Sequence, residues 1–117
     1  MDFDQYEYKA RQTAIYPTAG PNLGIEKEIG LIYCSLGMSG ESGEVAEHIK
    51  KMLRDDNGSL TKDRKLKLEK ELGDVLWYIA NMCHEIGTPM SYIAEQNINK
   101  LSSRKDRGRL HGSGDDR

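Results

Sequence analysis

The sequence predicts an all-α protein with a four-helix-bundle-like arrangement. Apolar residues recur at helical spacing through four segments, and no run alternates Val, Ile and Thr with polar residues as a strand would. The connections between the later segments are short, which makes antiparallel neighbours the simplest packing. A chain of 117 residues is the size of one domain.

The first helix is expected from about Asp4 to Ile15, with Phe3, Tyr6 and Ala10 at helical spacing. It should end before the loop Tyr16-Pro17-Thr18-Ala19-Gly20-Pro21, since the residue before a proline disfavours helical dihedrals. The second runs from about Gly24 to Arg54 and stops at the turn signal Asp55-Asp56-Asn57-Gly58. A calcium loop starting there would need a Glu at its twelfth position, where Leu66 stands. The third runs from about Lys62 to Ile86, with Leu68, Leu72, Val75, Leu76, Ile79 and Cys83 on one wide apolar face. Gly87 supplies its stop, Thr88 an N-cap and Pro89 a first helical residue for a fourth helix reaching about Ser103. The expected product is a helical domain over residues 1–104, with helices two, three and four bundled and helix one alongside. An irregular Gly-, Arg- and Asp-rich tail over residues 105–117 follows.

With 37% hydrophobic and 31% charged residues, the composition is that of a water-soluble chain with a modest core, which favours a homodimer or higher homo-oligomer. The net charge of -2 is spread along the chain, so neither nucleic acid nor an anionic membrane is an expected partner. No apolar stretch approaches the ~18 residues of a membrane span, and the acidic, aromatic start is unlike a secretory signal. A cytoplasmic location is expected. Cys34 and Cys83 lie in separate apolar segments and read as buried free thiols.

The chemistry concentrates in two places. Helix two carries Glu41-Ser42-Gly43-Glu44 and helix three Glu71-Leu72-Gly73-Asp74, each with two carboxylates three residues apart on one flank. The arms between these pairs and the intervening turn are each roughly 13–15 Å long, so an antiparallel hairpin brings the pairs level. Four carboxylates meeting at partly buried positions repel, and a cation resolves the conflict. Ligation entirely by oxygen, without Cys or paired His, suits magnesium, with manganese as a substitute. For a single pair, a solvated helix face is the commoner explanation. Here the acids of helix three flank its apolar stripe, and Gly73 interrupts a run of strong helix formers at a cost of about 1 kcal/mol. Such local violations gather at functional sites. Gly37, Gly40 and Gly43 form a similar stripe on helix two, where a neighbouring backbone can approach closely.

These residues resemble the MazG-like all-α nucleoside triphosphate pyrophosphohydrolases. The likeness runs from Gly40-Glu41-Ser42-Gly43-Glu44-Val45 through Glu71-Leu72-Gly73-Asp74-Val75-Leu76-Trp77-Tyr78 to Asn97-Ile98-Asn99-Lys100-Leu101 with Arg104. The closing Gly112-Ser113-Gly114-Asp115-Asp116-Arg117 is similar to the tail of some members. The resemblance implies that Glu41, Glu44, Glu71 and Asp74 bind magnesium and that a nucleoside triphosphate is cut to monophosphate and pyrophosphate by water attack on the α-phosphorus. Metal ions would align the triphosphate and stabilise the leaving group. Glu41 or Glu44 is the candidate to position or deprotonate the water. Lys100 and Arg104, one turn apart, are candidates to neutralise the leaving phosphates, or else a basic helix end that offsets the macrodipole. Asn97 is a candidate contact to sugar or phosphate, and Tyr78 to the base, with Trp77 at least as suited to an interface.

The sequence departs from the family at Gly40, where many relatives carry a further Glu. That leaves open the number of ions and which group is the base. Glu47, Lys50 and Lys51 read as solvated surface, His48, His84 and His111 as surface or structural residues. Arg107, Arg109 and Arg117 could fold over a bound triphosphate or belong to a frayed end. A di-iron bundle lacks its Glu-x-x-His motifs, and there is no Walker loop. The competing reading is a non-catalytic helical protein that senses nucleotides or holds a partner.

Overall fold

The structure is a computed structural model that describes residues 1–17 and 28–117. Among these residues every regular element is helical: α1 (Phe3–Arg11), α2 (Ile29–Asp55), α3 (Lys62–Ile86) and α4 (Met90–Asp106). The predicted start of helix two at Gly24 lies outside the described residues.

Local chemistry accounts for most boundaries. Asp2 and Gln5 form a reciprocal capping box at the start of α1. The helix ends at Arg11, short of the expected Ile15, because Thr13 and Ala14 turn back onto Ala10 and Arg11 through i→i+3 bonds. The Thr13 hydroxyl competes for the same Ala10 carbonyl. The tighter path buries Tyr16. The α2–α3 turn uses left-handed Asn57 and Gly58, and the Gly58 N–H closes back onto the Met52 carbonyl at 3.1 Å. Thr61 caps α3 by accepting from the Arg64 N–H at 3.1 Å. Gly87 ends α3 at φ 69°.

The start of α4 differs from expectation. Thr88 is not the cap: its N–H is committed to the Cys83 carbonyl in the α3 stop, and Pro89 occupies the N-cap position without a side-chain bond. The cap comes from α1 instead. Glu7 accepts from the Met90 N–H at 2.9 Å and Asp4 from the Ser91 N–H at 3.4 Å. Two carboxylates thus face the positive end of α4.

The helices pack as an α2–α3 antiparallel hairpin with α1 laid on α3. A small core of Ala10, Ala80, Cys83 and Met90, flanked by Tyr6, Leu76, Trp77 and Ile79, joins α1, α3 and the start of α4. The predicted bundling of α4 with α2 is not what this chain does by itself. From its corner with α3, α4 packs on α1 and makes no contact with α2. The radius of gyration, 17.6 Å, accordingly exceeds the about 13 Å of a compact chain of this length. Leu36 on α2, Leu72 on α3 and Tyr92 and Ile98 on α4 remain more than half exposed. Cys34 and Cys83 are buried free thiols, as expected.

Candidate metal centre

The α2–α3 hairpin brings acids from both helices together. One carboxylate oxygen from each of Glu41, Glu71 and Asp74 lies within 4.8 Å of the other two. Glu41 and Glu71 are half-buried and Asp74 is exposed. Glu44, one turn along α2, is exposed and lies outside this trio. Partial burial pushes the Glu41 carboxyl above its usual range, and the charges of Asp74, Glu71 and Glu44 push it further.

Among the described residues, no Lys or Arg forms an ion pair with Glu41 or Asp74, and the partner of Glu71 is His48, at 3.2 Å. Among the described residues the negative charge therefore has no Lys or Arg partner. Magnesium ligands in an octahedron stand about 2.9 Å apart when adjacent and about 4.2 Å when opposite. The oxygens of the trio, within 4.8 Å of one another, lie close to that range. The donor set is all carboxylate, the set a hard divalent ion takes.

Aromatic rings line the same part of the hairpin. Tyr78 lies across Gly37, where a Cβ would stand 2.2 Å from the ring. Burial raises its phenol, with Tyr33 and Glu41 adding to the effect. Trp77 meets Tyr78 edge-on at 5.0 Å and Tyr16 at 6.1 Å, and Tyr16 stacks on Tyr33 at 5.5 Å. The Trp77 indole N–H donates to Thr13 Oγ1 at 2.7 Å, so this residue ties the segment after α1 to α3. Of the glycine stripe, Gly37 meets a neighbour, whereas Gly40 and Gly43 face open space, as does Gly73 on α3. The close approach expected at Gly40 and Gly43 is therefore not made among the described residues.

The basic residues of α4 are elsewhere. Asn97 is exposed and shares a shallow groove with Tyr92, Ile93, Gln96 and Lys100. Lys100 pairs with Asp115 at 3.3 Å. Arg104 is buried, and its guanidinium donates to the Gly114 and Asp115 carbonyls. The tail is thus folded back onto α4. Arg117 adds side-chain bonds to the Arg109, Leu110 and Gly114 carbonyls. Among the described residues no hydrogen bond or ion pair joins Asn97, Lys100 or Arg104 to the acid trio.

Sequence reasoning placed His48 on the surface or in a structural role, read Asp56 as part of the turn and gave Arg64 no role. The signal was present in the spacing. His48 follows Glu41 by seven residues and Arg64 precedes Glu71 by seven, two helical turns in each case and hence the same stripe. Glu47 pairs with Lys50 at 2.8 Å and Lys51 at 3.8 Å in exposed contacts.

A model of the MazG nucleotide pyrophosphohydrolase domain matches residues 34–108, a span that holds all three clustered acids. The chain belongs to the MazG family. This MazG chain is also 46% identical to the Gene 37 protein of Mycobacterium phage L5, with both chains covered in full over 117 residues. No solved structure gives a significant match. No helix of the MazG chain, among the described residues, is long and apolar enough to cross a membrane.

Proposed function

We propose that the protein is a magnesium-dependent nucleoside triphosphate pyrophosphohydrolase, acting in the cytoplasm and releasing a nucleoside monophosphate and pyrophosphate. The observation that carries this reading is the meeting of Glu41, Glu71 and Asp74 across the hairpin, with no Lys or Arg paired to them among the described residues, inside a matched MazG domain.

Glu41, Glu71 and Asp74 would hold the divalent ion, which supplies charge stabilisation for the triphosphate and its pyrophosphate leaving group. Glu44 is exposed and outside the trio, one turn away on α2. That makes it the carboxylate left to orient or deprotonate the water attacking the α-phosphorus. Tyr78 offers an aromatic surface beside Glu41 for the base. Asn97, Lys100 and Arg104 remain the proposed sugar and phosphate contacts, supplied by α4 of a second copy. Exposed Leu36, Leu72, Tyr92 and Ile98 are the apolar surface such a homo-oligomer would cover.

The test is pyrophosphate release from a panel of nucleoside triphosphates by the full chain, with and without magnesium and after Glu71→Gln. Release that needs magnesium and is lost in the variant supports the reading. Folded protein that binds a nucleotide yet releases nothing would assign the fold to nucleotide sensing instead.

A further inference from the structure

The Glu71 carboxylate is tied to a line of side chains running toward the turn end of the hairpin. His48 Nε2 lies 3.2 Å from Glu71 Oε1. On the other side of the ring, Arg64 Nη1 lies 3.3 Å from His48 Nδ1. Arg64 Nε in turn donates to Asp56 Oδ2 at 2.9 Å. The members come from α2, the turn and α3. Their side chains are well covered, at 15% exposure for His48, 21% for Glu71, 10% for Arg64 and 17% for Asp56.

The direction of the hydrogen bonds follows from chemistry. A guanidinium has donors and no acceptor, so His48 Nδ1 must accept from Arg64. The ring proton of the neutral imidazole then sits on Nε2 and donates to Glu71. This arrangement differs in kind from a direct Arg–Glu pair. An arginine on Glu71 would cancel the charge that a cation needs. An imidazole between them passes on orientation and leaves the carboxylate anionic. One acceptor site of Glu71 is used by His48, and the rest of its roughly four lone-pair sites stay free.

We propose that His48, anchored by Arg64 and Asp56, is a positioning residue that holds the Glu71 carboxylate in place for a divalent cation. The inference rests on the metal-binding reading of the acid trio. Groups that hydrogen-bond a ligating side chain typically contribute 10–100-fold in metal affinity.

The test is Mn²⁺ binding to the full chain without nucleotide, measured by calorimetry, for the wild type, His48→Leu and His48→Gln. Leucine fills similar volume without polar function, whereas glutamine keeps one donor and one acceptor. His48→Leu is expected to weaken Mn²⁺ binding about 10–100-fold and His48→Gln to recover most of it. Melting in chelator should place both variants near the wild type. Nitrogen-15 spectra of the metal-free wild type should show the Nε2–H tautomer. Wild-type binding with His48→Leu equally tight overturns this inference and leaves the metal reading standing. A wild type that takes up no Mn²⁺ overturns both. Should His48→Leu fail to fold, the tautomer decides: an Nδ1–H ring or an imidazolium at neutral pH overturns the inference.

Discussion

Tyr78 rests its ring on Gly37, with the nearest ring carbon 2.2 Å from where a Cβ would stand. This contact lets α2 and α3 close up beside the acids. Gly37→Ala therefore sets two effects against each other. Helix propensity favours alanine by about 1 kcal/mol, while overpacking typically costs about 1–3 kcal/mol. Net destabilisation is expected in the wild type. With Tyr78→Ala in place, the overlap is gone and Gly37→Ala should stabilise. A double-mutant cycle by denaturant unfolding checks this sign change, and the same sign in both backgrounds would refute the contact.

Gly73 offers the opposite case. Its side faces open space, so Gly73→Ala should raise stability by about 0.5–1 kcal/mol in the isolated chain. If activity falls while stability rises, that position is kept small for something that docks there. Unfolding curves and pyrophosphate release measured together distinguish the outcomes.

The crowding of carboxylates predicts a pH dependence whose sign metal should reverse. Burial and neighbouring charges raise the Glu41 carboxyl above its ordinary value of 4.5. Between that value and the raised one, the folded state holds more protons than the unfolded state, so stability falls as pH rises. The contribution is fully present below the unfolded value and lost as pH climbs through the folded one. In chelator, Glu41→Gln should therefore melt higher than the wild type near neutral pH, with the gap narrowing toward acid. In excess magnesium the order should invert, since a ligand at 100 times its Kd adds about 2.7 kcal/mol to the protein that binds it. Equal melting temperatures under all these conditions would contradict the crowding.

In the tail, backbone carbonyls as well as the Asp115 carboxylate hold Arg104. The Asp115 side chain is 84% exposed, so solvent screens its ion pairs. Asp115→Ala should leave stability nearly unchanged. Arg104→Ala removes the anchor, and amide exchange over residues 109–117 should then lose its protection. A tail equally protected in both variants would show that Arg104 does not hold it.

The sequence was most legible where local chemistry decides. The bounds of α3, Lys62–Ile86, follow from the Thr61 cap and the left-handed Gly87. Carboxylate pairs at equal distances from a turn pointed to a meeting of all four acids, of which Glu41, Glu71 and Asp74 come together and Glu44 stays outside. Where long-range contacts decide, it was less so. Thr88 looked like a cap, but Asp4 and Glu7, more than eighty residues away, take that role. The helix-like pattern up to Ile15 gave way to Tyr16, which donates its hydroxyl to Glu85 on α3. Asp56 read as a turn residue, and its use as the anchor of Arg64, eight residues further on across the turn, was not foreseen.

The most direct test of the central claim is anomalous diffraction from a crystal of the full chain soaked in Mn²⁺. A peak is expected between the carboxylates of Glu41, Glu71 and Asp74, with their oxygens at direct coordination distance from the ion. A well-occupied manganese site elsewhere, with these three side chains turned away from one another, would contradict it.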